Sequence, residues 1–366
     1  MGKLTSIGTR ILILAAKIRY IHIDILAQKL RLKNRKKNNI VEIKKGNYED
    51  SRTYAILVYY EPDGRLSESI KNIVKELTKN SVNVMLVCNH TLSEEQEEFF
   101  LRNCKELILR NNQGFDFGAY KDAISYIYES NVELDRLLLM NDSVYYSSNG
   151  LSSFVKELLK DIDAIAAYEN WSLSEGHHLQ SFCVSISNHV FQSKGFREFW
   201  KNYVPINNRI YAIENGEKKL SKAIAESARS SYVVYSVSKM YDKLKQEPVE
   251  KVGEILSFLP RPWRGAIDQE KYSKSAGYRV EVITNILNNT SPIHAGAFLF
   301  PYFLNSPLYK KDIVYRSRFP FWEVEYITSN LLQEREFCEY INALRKKGDS
   351  SELSFGDKIK FNVGVK

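Results

Sequence analysis

Residues 137–150 read LLLMNDSVYYSSNG. Four apolar residues run into Asn141, Asp142 and Ser143, and turn-forming residues follow. A short apolar run bounded by turn formers predicts a buried strand. It also places a lone carboxylate at the strand's C-terminal tip. In open α/β sheets ligands bind just beyond the strand C-termini, so Asp142 is a candidate binding group. It can hold a hard divalent cation that bridges two phosphates, or it can cap the following turn.

Working outward, RLLLMND (136–142) is the fourth of a series. YAILVYY (54–60), VNVMLVCN (82–89) and ELILR (106–110) precede it as strands; DAIAAYE (163–169) and QSFCVSIS (180–187) follow. Helical faces alternate with them. Leu66, Ile70, Ile73, Val74 and Leu77 share one face behind the possible cap Ser67. SEEQEEFFLRNC (93–104) has its acids at the helix start, where the macrodipole favours them. Phe117, Tyr120, Ala123, Ile124 and Ile127 mark a third helix, and Phe154, Val155, Leu158, Leu159 and Ile162 a fourth. This alternation predicts an α/β fold, a mostly parallel two-sided sheet flanked by helices, with a mainly helical C-terminal part. Residues 190–230 and 330–347 read as mainly helical, whereas 246–292 suggests a long insertion or lid.

NNQGFDFGAYK (111–121) is the most distinctive loop. Gly114 and Gly118 permit tight turns and close backbone approach. Asp116 is placed to cap a helix starting at Phe117, whose free N–H groups can face an anion. The loop fits the floor of a sugar-diphosphate site, or a glycine turn and cap with no ligand. His177 and His178 are adjacent, so on a strand they point opposite ways and are not a matched ligand pair. Glu214 and Glu217, in IENGEKKLS (213–221), offer a general base if the fold brings them to the strand tips, or ordinary helix-start acids if it does not. His294, with Lys310, Lys311, Arg316 and Arg318, can offset the charge of a leaving diphosphate, or form an exposed basic edge. His294 is also a possible second ligand for a cation at Asp142.

The chain has 366 residues and a net charge of +8, which makes phosphate-bearing ligands, anionic membranes and nucleic acid plausible partners. Cys88, Cys104, Cys183 and Cys338 form no CxxC pair and read as reduced thiols. The segment ILILAAKIRYIHIDILAQKL (11–30) is broken by Lys17, Arg19, His22 and Asp24. It falls short of the ~20 apolar residues a spanning helix needs, and no signal-peptide cleavage pattern is evident. Residues 29–45 then carry eight Lys/Arg against one Glu. Together these fit a helix lying on an anionic leaflet, or a plain helix and solvated linker. The alternation of Ile21, Ile23 and Ile25 leaves strand and helix both open there. Aromatic residues are scarce in 29–45, which argues against nucleic-acid stacking.

Taken in order, NNQGFDFGAYKDAI, LLLMNDSVY, HHLQSF and IENGEKKLS resemble the rhamnan synthesis F family of glycosyltransferase-like proteins, over about residues 54–318. The resemblance implies a GT-A-like nucleotide-sugar fold. It divides the chain into an N-terminal amphipathic and basic segment (1–46), a glycosyltransferase-like catalytic domain (50–325) and a C-terminal helix and tail (326–366). It further implies transfer of a sugar, often L-rhamnose from a dTDP-sugar donor, onto a lipid-linked glycan acceptor in bacterial cell-surface polysaccharide synthesis (lipopolysaccharide or capsule). The protein would be cytoplasmic and peripheral on the inner face of the plasma membrane. By position Asn112, Gly114, Asp116, Lys121, Asn141 and Ser143 would bind the donor. His178, Gln180 and Ser181 would face the sugar or acceptor. His294, Lys311 and Arg316 would meet the diphosphate, Glu214 would act as base in an inverting transfer, and Asp142 with His294 would hold Mg2+ or Mn2+. Asn-Asp-Ser offers one carboxylate where related transferases have two. The alternative is therefore a non-catalytic scaffold or sugar-nucleotide-binding protein of polysaccharide assembly.

Overall fold

A computed structural model describes residues 39–46, 51–172, 176–248, 251–316, 318–332 and 337–350, together with 14, 18, 21–27, 29, 353, 354 and 357. Its strands are β1 (Ile40–Lys45), β2 (Thr53–Tyr59), β3 (Asn83–Cys88), β4 (Glu106–Arg110), β5 (Arg136–Asn141), β6 (Val144–Tyr146), β7 (Ala164–Ala166), β8 (Glu169–Ser172), β9 (Gly176–Leu179), β10 (Cys183–Ser187), β11 (Ser231–Val233) and β12 (Leu308–Lys310). Eight of them form one sheet in the order β1-β4-β3-β2-β5-β10-β7-β11. The block β4-β3-β2-β5 is parallel throughout, as is the pair β7–β11. β6 pairs with β12, and β8 with β9, in two small antiparallel ribbons.

The central strands are apolar on both faces because helices cover both faces. Ala55 and Leu57 of β2 pack into one core, and Ile56 and Val58 into the other. Val84 and Leu86 alternate in the same way with Met85 and Val87, and Leu138 and Met140 with Leu137 and Leu139. The first core is closed by α1 (Glu68–Lys79), α2 (Glu94–Asn103) and α4 (Leu151–Leu158), and the second by α3 (Phe115–Glu129), α5 (Lys194–Asn202) and α6 (Lys218–Ser227). Ser67 caps α1 by accepting from Ile70 N, and Ser93 with Gln96 forms a reciprocal capping box on α2.

The mostly parallel sheet agrees with the alternation read from the sequence, with β10 antiparallel between β5 and β7 and β1 antiparallel to β4. Other expectations need correction. Residues 163–169 are not one strand, since β7 ends at Ala166 and β8 begins at Glu169. The end of the supposed basic linker, Ile40–Lys45, is an edge strand antiparallel to β4. The remainder of that basic cluster, residues 30–38, lies outside the described residues. Residues 21–27 are helical, and Ile23 and Ala27, four apart on one face, are buried in the second core. The stretch 246–292 is no lid. Its helices, including α8 (Ala276–Asn288), bury Ile255, Phe258, Tyr272, Ile283 and Leu287 in the first core beside α7 (Val237–Gln246). Helix α9 (Cys338–Lys347) buries Tyr340 and Leu344 in that core as well. Among the described residues no helix is long and apolar enough to cross a membrane.

Candidate functional site

The glycine corner is fixed from beneath by Arg110, the last residue of β4. Its guanidinium donates to Asp122 Oδ2 at 2.8 Å, Asn89 Oδ1 at 2.6 Å and the Gln113 carbonyl at 2.7 Å. Both glycines answer to close approach. Gly114 has φ 83°, and a Cβ there would stand 2.4 Å from Pro205 Cβ; a Cβ on Gly118 would stand 2.0 Å from the Gln113 carbonyl oxygen. Gly114 itself is the N-cap of α3, which begins at Phe115. Asp116 therefore does not cap the helix. It sits inside the first turn, and its Oδ2 accepts from Asn141 Nδ2 at 2.8 Å.

That bond joins the corner to the tip of β5. Asn141 Oδ1 accepts from Ser143 N at 3.0 Å, and Asn141 N donates to the Phe182 carbonyl at 3.1 Å. Asp142 N donates to the Val58 carbonyl, and its Oδ2 accepts from Tyr60 N at 3.0 Å. Its Oδ1 has no bonded partner among the described residues. Lys310 Nζ donates to Ser143 Oγ at 2.9 Å and lies 4.5 Å from the Phe182 ring centroid. Burial pulls the Lys310 pKa down, against the pull of Asp312. Burial, reinforced by the charge of Asp142, pushes Asp116 up to about 7.

A second cluster adjoins this one. Glu217 accepts from Ser181 N at 3.0 Å and Ser181 Oγ at 2.7 Å, and its Oε1 lies 3.2 Å from His178 Nε2. Burial alone would raise its pKa, but the hydrogen bonds from His178 and Ser181 outweigh burial and hold it below the ordinary glutamate value. Tyr120 OH donates to the Ser181 carbonyl at 3.3 Å, which ties the cluster to α3. A third cluster is His294, with Nδ1 2.9 Å from Ser291 Oγ and Nε2 2.8 Å from Asp312 Oδ1; Arg316 also donates to Asp312. Burial works against ionisation of Asp312, yet His294, Arg316 and Lys310 together hold its pKa well below the carboxylate range.

Asp116, Asn141, Asp142, Ser143, His178 and Ser181 are thus brought together around Lys310 and Glu217. Gln180 is buried beside them, its N–H bonded to the Tyr168 carbonyl. Others face elsewhere. Lys121 donates to the Tyr203 carbonyl, and Asn112 is exposed. Glu214 pairs with Lys218 at 2.7 Å, and Lys311 lines a separate groove with Glu61, Asp63 and Glu339. His294 has both ring nitrogens bonded. No group of three or more His, Cys, Asp or Glu side chains is arranged to hold a metal among the described residues. Sequence reasoning missed Asp312, and it named Lys310 only within a basic run. Strand alternation could have separated Lys310 from Lys311, because β12 ends at Lys310.

The raised Asp116 pKa predicts a pH slope. An unfolded Asp titrates near ~3.9, so the folded state binds this proton more tightly. Stability should fall as pH rises from about 4 to about 7, and flatten above that. In Asp116→Asn this component of the slope should vanish. Melting temperatures from pH 4.5 to 8.5 test it; parallel curves for the two proteins would refute the assignment.

The fold and the site together define an α/β protein in which the tip of the parallel strand β5, the first turn of α3 and the end of β12 gather two carboxylates, an amide and a lysine. The family model described as Rhamnan synthesis protein F matches residues 84–256, which contain the glycine corner, the Asn-Asp-Ser tip, His178, Ser181 and Glu217. His294, Lys310 and Asp312 lie beyond the match. The uncharacterized protein y4gN of Sinorhizobium fredii (strain NBRC 101917 / NGR234) is 25% identical over 253 residues, which is 68% of this chain and 62% of that protein. The match therefore spans less than two thirds of that relative's length. Among solved structures, the mannosyltransferase PcManGT of Pyrobaculum calidifontis, in complex with GDP-Man and Mn2+, aligns over 92% of this chain and 98% of its own, at 11% identity and TM-score 0.31. The glycosyltransferase GlyE of Streptococcus pneumoniae aligns over 53% of this chain and 48% or less of its own, the complete figures for one form being 47%, 12% identity and TM-score 0.28. At such scores nothing about the site follows from either.

Proposed function

We propose that the chain is a glycosyltransferase that moves a sugar from a nucleotide-sugar donor, with a dTDP-deoxyhexose such as dTDP-rhamnose as the first candidate. The observation that supports the reading is the Asn141–Asp116 hydrogen bond, because it joins the glycine corner to the strand tip that carries Asp142. Asp142 and Asp116 would hold a divalent cation; burial chiefly raises Asp116, and the smaller contribution from the charge of Asp142 is the part such a cation would relieve. When bound, the ion supplies positive charge to the donor phosphates. Lys310 stands beside Ser143 to offset charge on a departing diphosphate. Glu217, rather than Glu214, is the carboxylate placed to take the acceptor's proton. Its hydrogen bonds keep it ionised but weakly basic, so proton transfer belongs late in an inverting displacement. The scaffold alternative drew on a single carboxylate at the tip; Asp116 contributes a second from α3, which favours turnover. The acceptor on this reading is a lipid-linked glycan reached from the cytoplasmic face of the membrane.

A thermal-shift panel of nucleotide sugars, with and without Mg2+ or Mn2+, tests the reading. A ligand at 100 times its Kd should stabilise the native state by about 2.7 kcal/mol. At least one donor should raise the melting temperature, and Asp142→Ala should abolish that shift. A flat panel, or an undiminished shift in Asp142→Ala, would overturn the reading.

A further inference from the structure

We propose that the open groove behind hairpin β8–β9 is a binding site for neutral sugar rings of the acceptor glycan. The groove has a volume of ≈ 480 Å³ and is lined by Glu169, Trp171, Val237, Ser238, Tyr241, Thr284 and Asn288. That volume falls within the ~300–1,000 Å³ of small-molecule sites. Trp171 is 50% exposed and Tyr241 48% exposed, so two large rings face solvent in one depression. Each is mounted on regular structure, Trp171 on β8 and Tyr241 on α7.

The chemistry suits a sugar. A pyranose presents a face of C–H groups, which packs on an aromatic face, and a rim of hydroxyls, which needs donors and acceptors. The groove supplies both. Glu169 bonds His177 through Oε2 at 2.9 Å, which leaves Oε1 available. Thr284 donates its hydroxyl to the Val280 carbonyl at 2.7 Å, which leaves its oxygen able to accept. Asn288 is exposed, one helical turn from Thr284 on α8, and its side chain has no bonded partner among the described residues. Among the described residues no Lys or Arg lines the groove. On a chain of net charge +8, that composition disfavours a phosphate or nucleotide and favours an uncharged polyol.

The hairpin links this groove to the strand-tip site. Trp171 pairs with His177 and Asn170 with His178 across the ribbon. Side chains alternate along a strand, so Glu169, Trp171 and His177 share one face, and Asn170 and His178 the other. His177 is exposed, whereas His178 is buried against Glu217. The two-stranded wall therefore presents stacking surface outward and carries the Glu217 cluster inward. A glycan seated on Trp171 lies across the ribbon from the Glu217 cluster, and its chain has to pass the ribbon's edge to present a terminal hydroxyl there. The acceptor role rests on the glycosyltransferase reading above.

Saturation-transfer NMR on the full chain tests the site, with soluble di- to tetrasaccharides of rhamnose, mannose, glucose, galactose and N-acetylglucosamine as probes. At least one oligosaccharide should bind the wild type without any nucleotide. Trp171→Ala and Tyr241→Ala should each weaken it at least tenfold, and Trp171→Phe should restore most of the loss. The nucleotide-sugar thermal shift serves as a separate readout and should be unchanged in all three variants. If no oligosaccharide binds the wild type, or the alanine variants bind as well as it does, the groove assignment is overturned even where the thermal shift is normal. Ring-dependent oligosaccharide binding with no nucleotide-sugar shift would support the groove and sink the strand-tip reading instead.

Discussion

Glu217→Gln is expected to lower turnover by about 10²–10⁴-fold, the usual contribution of a general base, with nucleotide-sugar affinity nearly unchanged. Glu214→Gln should behave like the wild type. The contrast follows from placement. Glu214 is held by Lys218, whereas Glu217 receives Ser181 and faces His178 within the cluster bound to α3. The conservative replacement keeps the volume and removes the negative charge, so kcat should fall much more than KM changes. The lowered Glu217 pKa adds a second expectation, that the acid limb of the rate profile lies below the ordinary glutamate range. Steady-state kinetics with a hydrolysable or short acceptor would check both. Normal turnover in Glu217→Gln, with loss in Glu214→Gln, would reverse the assignment.

Arg110→Met is expected to destabilise the protein by about 3–5 kcal/mol, because it strands Asp122 without its partner in the interior. The pair is enclosed, with side-chain exposures of 0% for Arg110 and 4% for Asp122. Burial raises the Asp122 pKa even against the attraction of Arg110, so an unpaired Asp122 would take up a proton in preference to staying charged. The same substitution frees the Gln113 carbonyl and loosens the corner, so the nucleotide-sugar thermal shift should shrink too. Urea midpoints at constant m-value measure the stability change. The double variant Arg110→Met/Asp122→Leu should recover much of it, since apolar replacement of a whole buried pair is often close to neutral. A loss below about 1 kcal/mol for the single variant would show that the pair does not anchor the corner.

The central sheet was legible because β2, β3 and β5 are buried on both faces and so read as unbroken apolar runs. The caps at Ser67 and Ser93 were legible because capping is local chemistry. What escaped depends on distant partners. The start of α3 was placed two residues late, because Gly114 reaches its left-handed conformation against Pro205, about ninety positions along the chain. The direction of β10 is set by its neighbours β5 and β7 rather than by its own composition. The helices that precede α8 in 246–292, such as Val252–Ser257 and Gln269–Lys274, have six residues each and sustain no period long enough to read. At the site, the Asp142 tip and the glycine corner could be seen in sequence, but their hydrogen bond could not. The sequence named Glu214 as the base, and the different partners of Glu214 and Glu217 are set by local helix geometry that it does not reveal.

That geometry is a π-helical segment, Ala212–Glu217, running directly into α6. Gly216 lies against the Phe117 ring, where an added Cβ would come within 2.9 Å, so the widened turn is braced by the first turn of α3. Such segments carry an extra residue within an otherwise ordinary helix and recur at functional positions. Removing a single residue upstream of Glu217 would let the helix relax to its regular winding and rotate the preceding turn by about 100° relative to α6. A one-codon deletion there would therefore re-aim the side chains ahead of Glu217, Glu214 among them, while α6 and the residues that hold Glu217 keep their sequence.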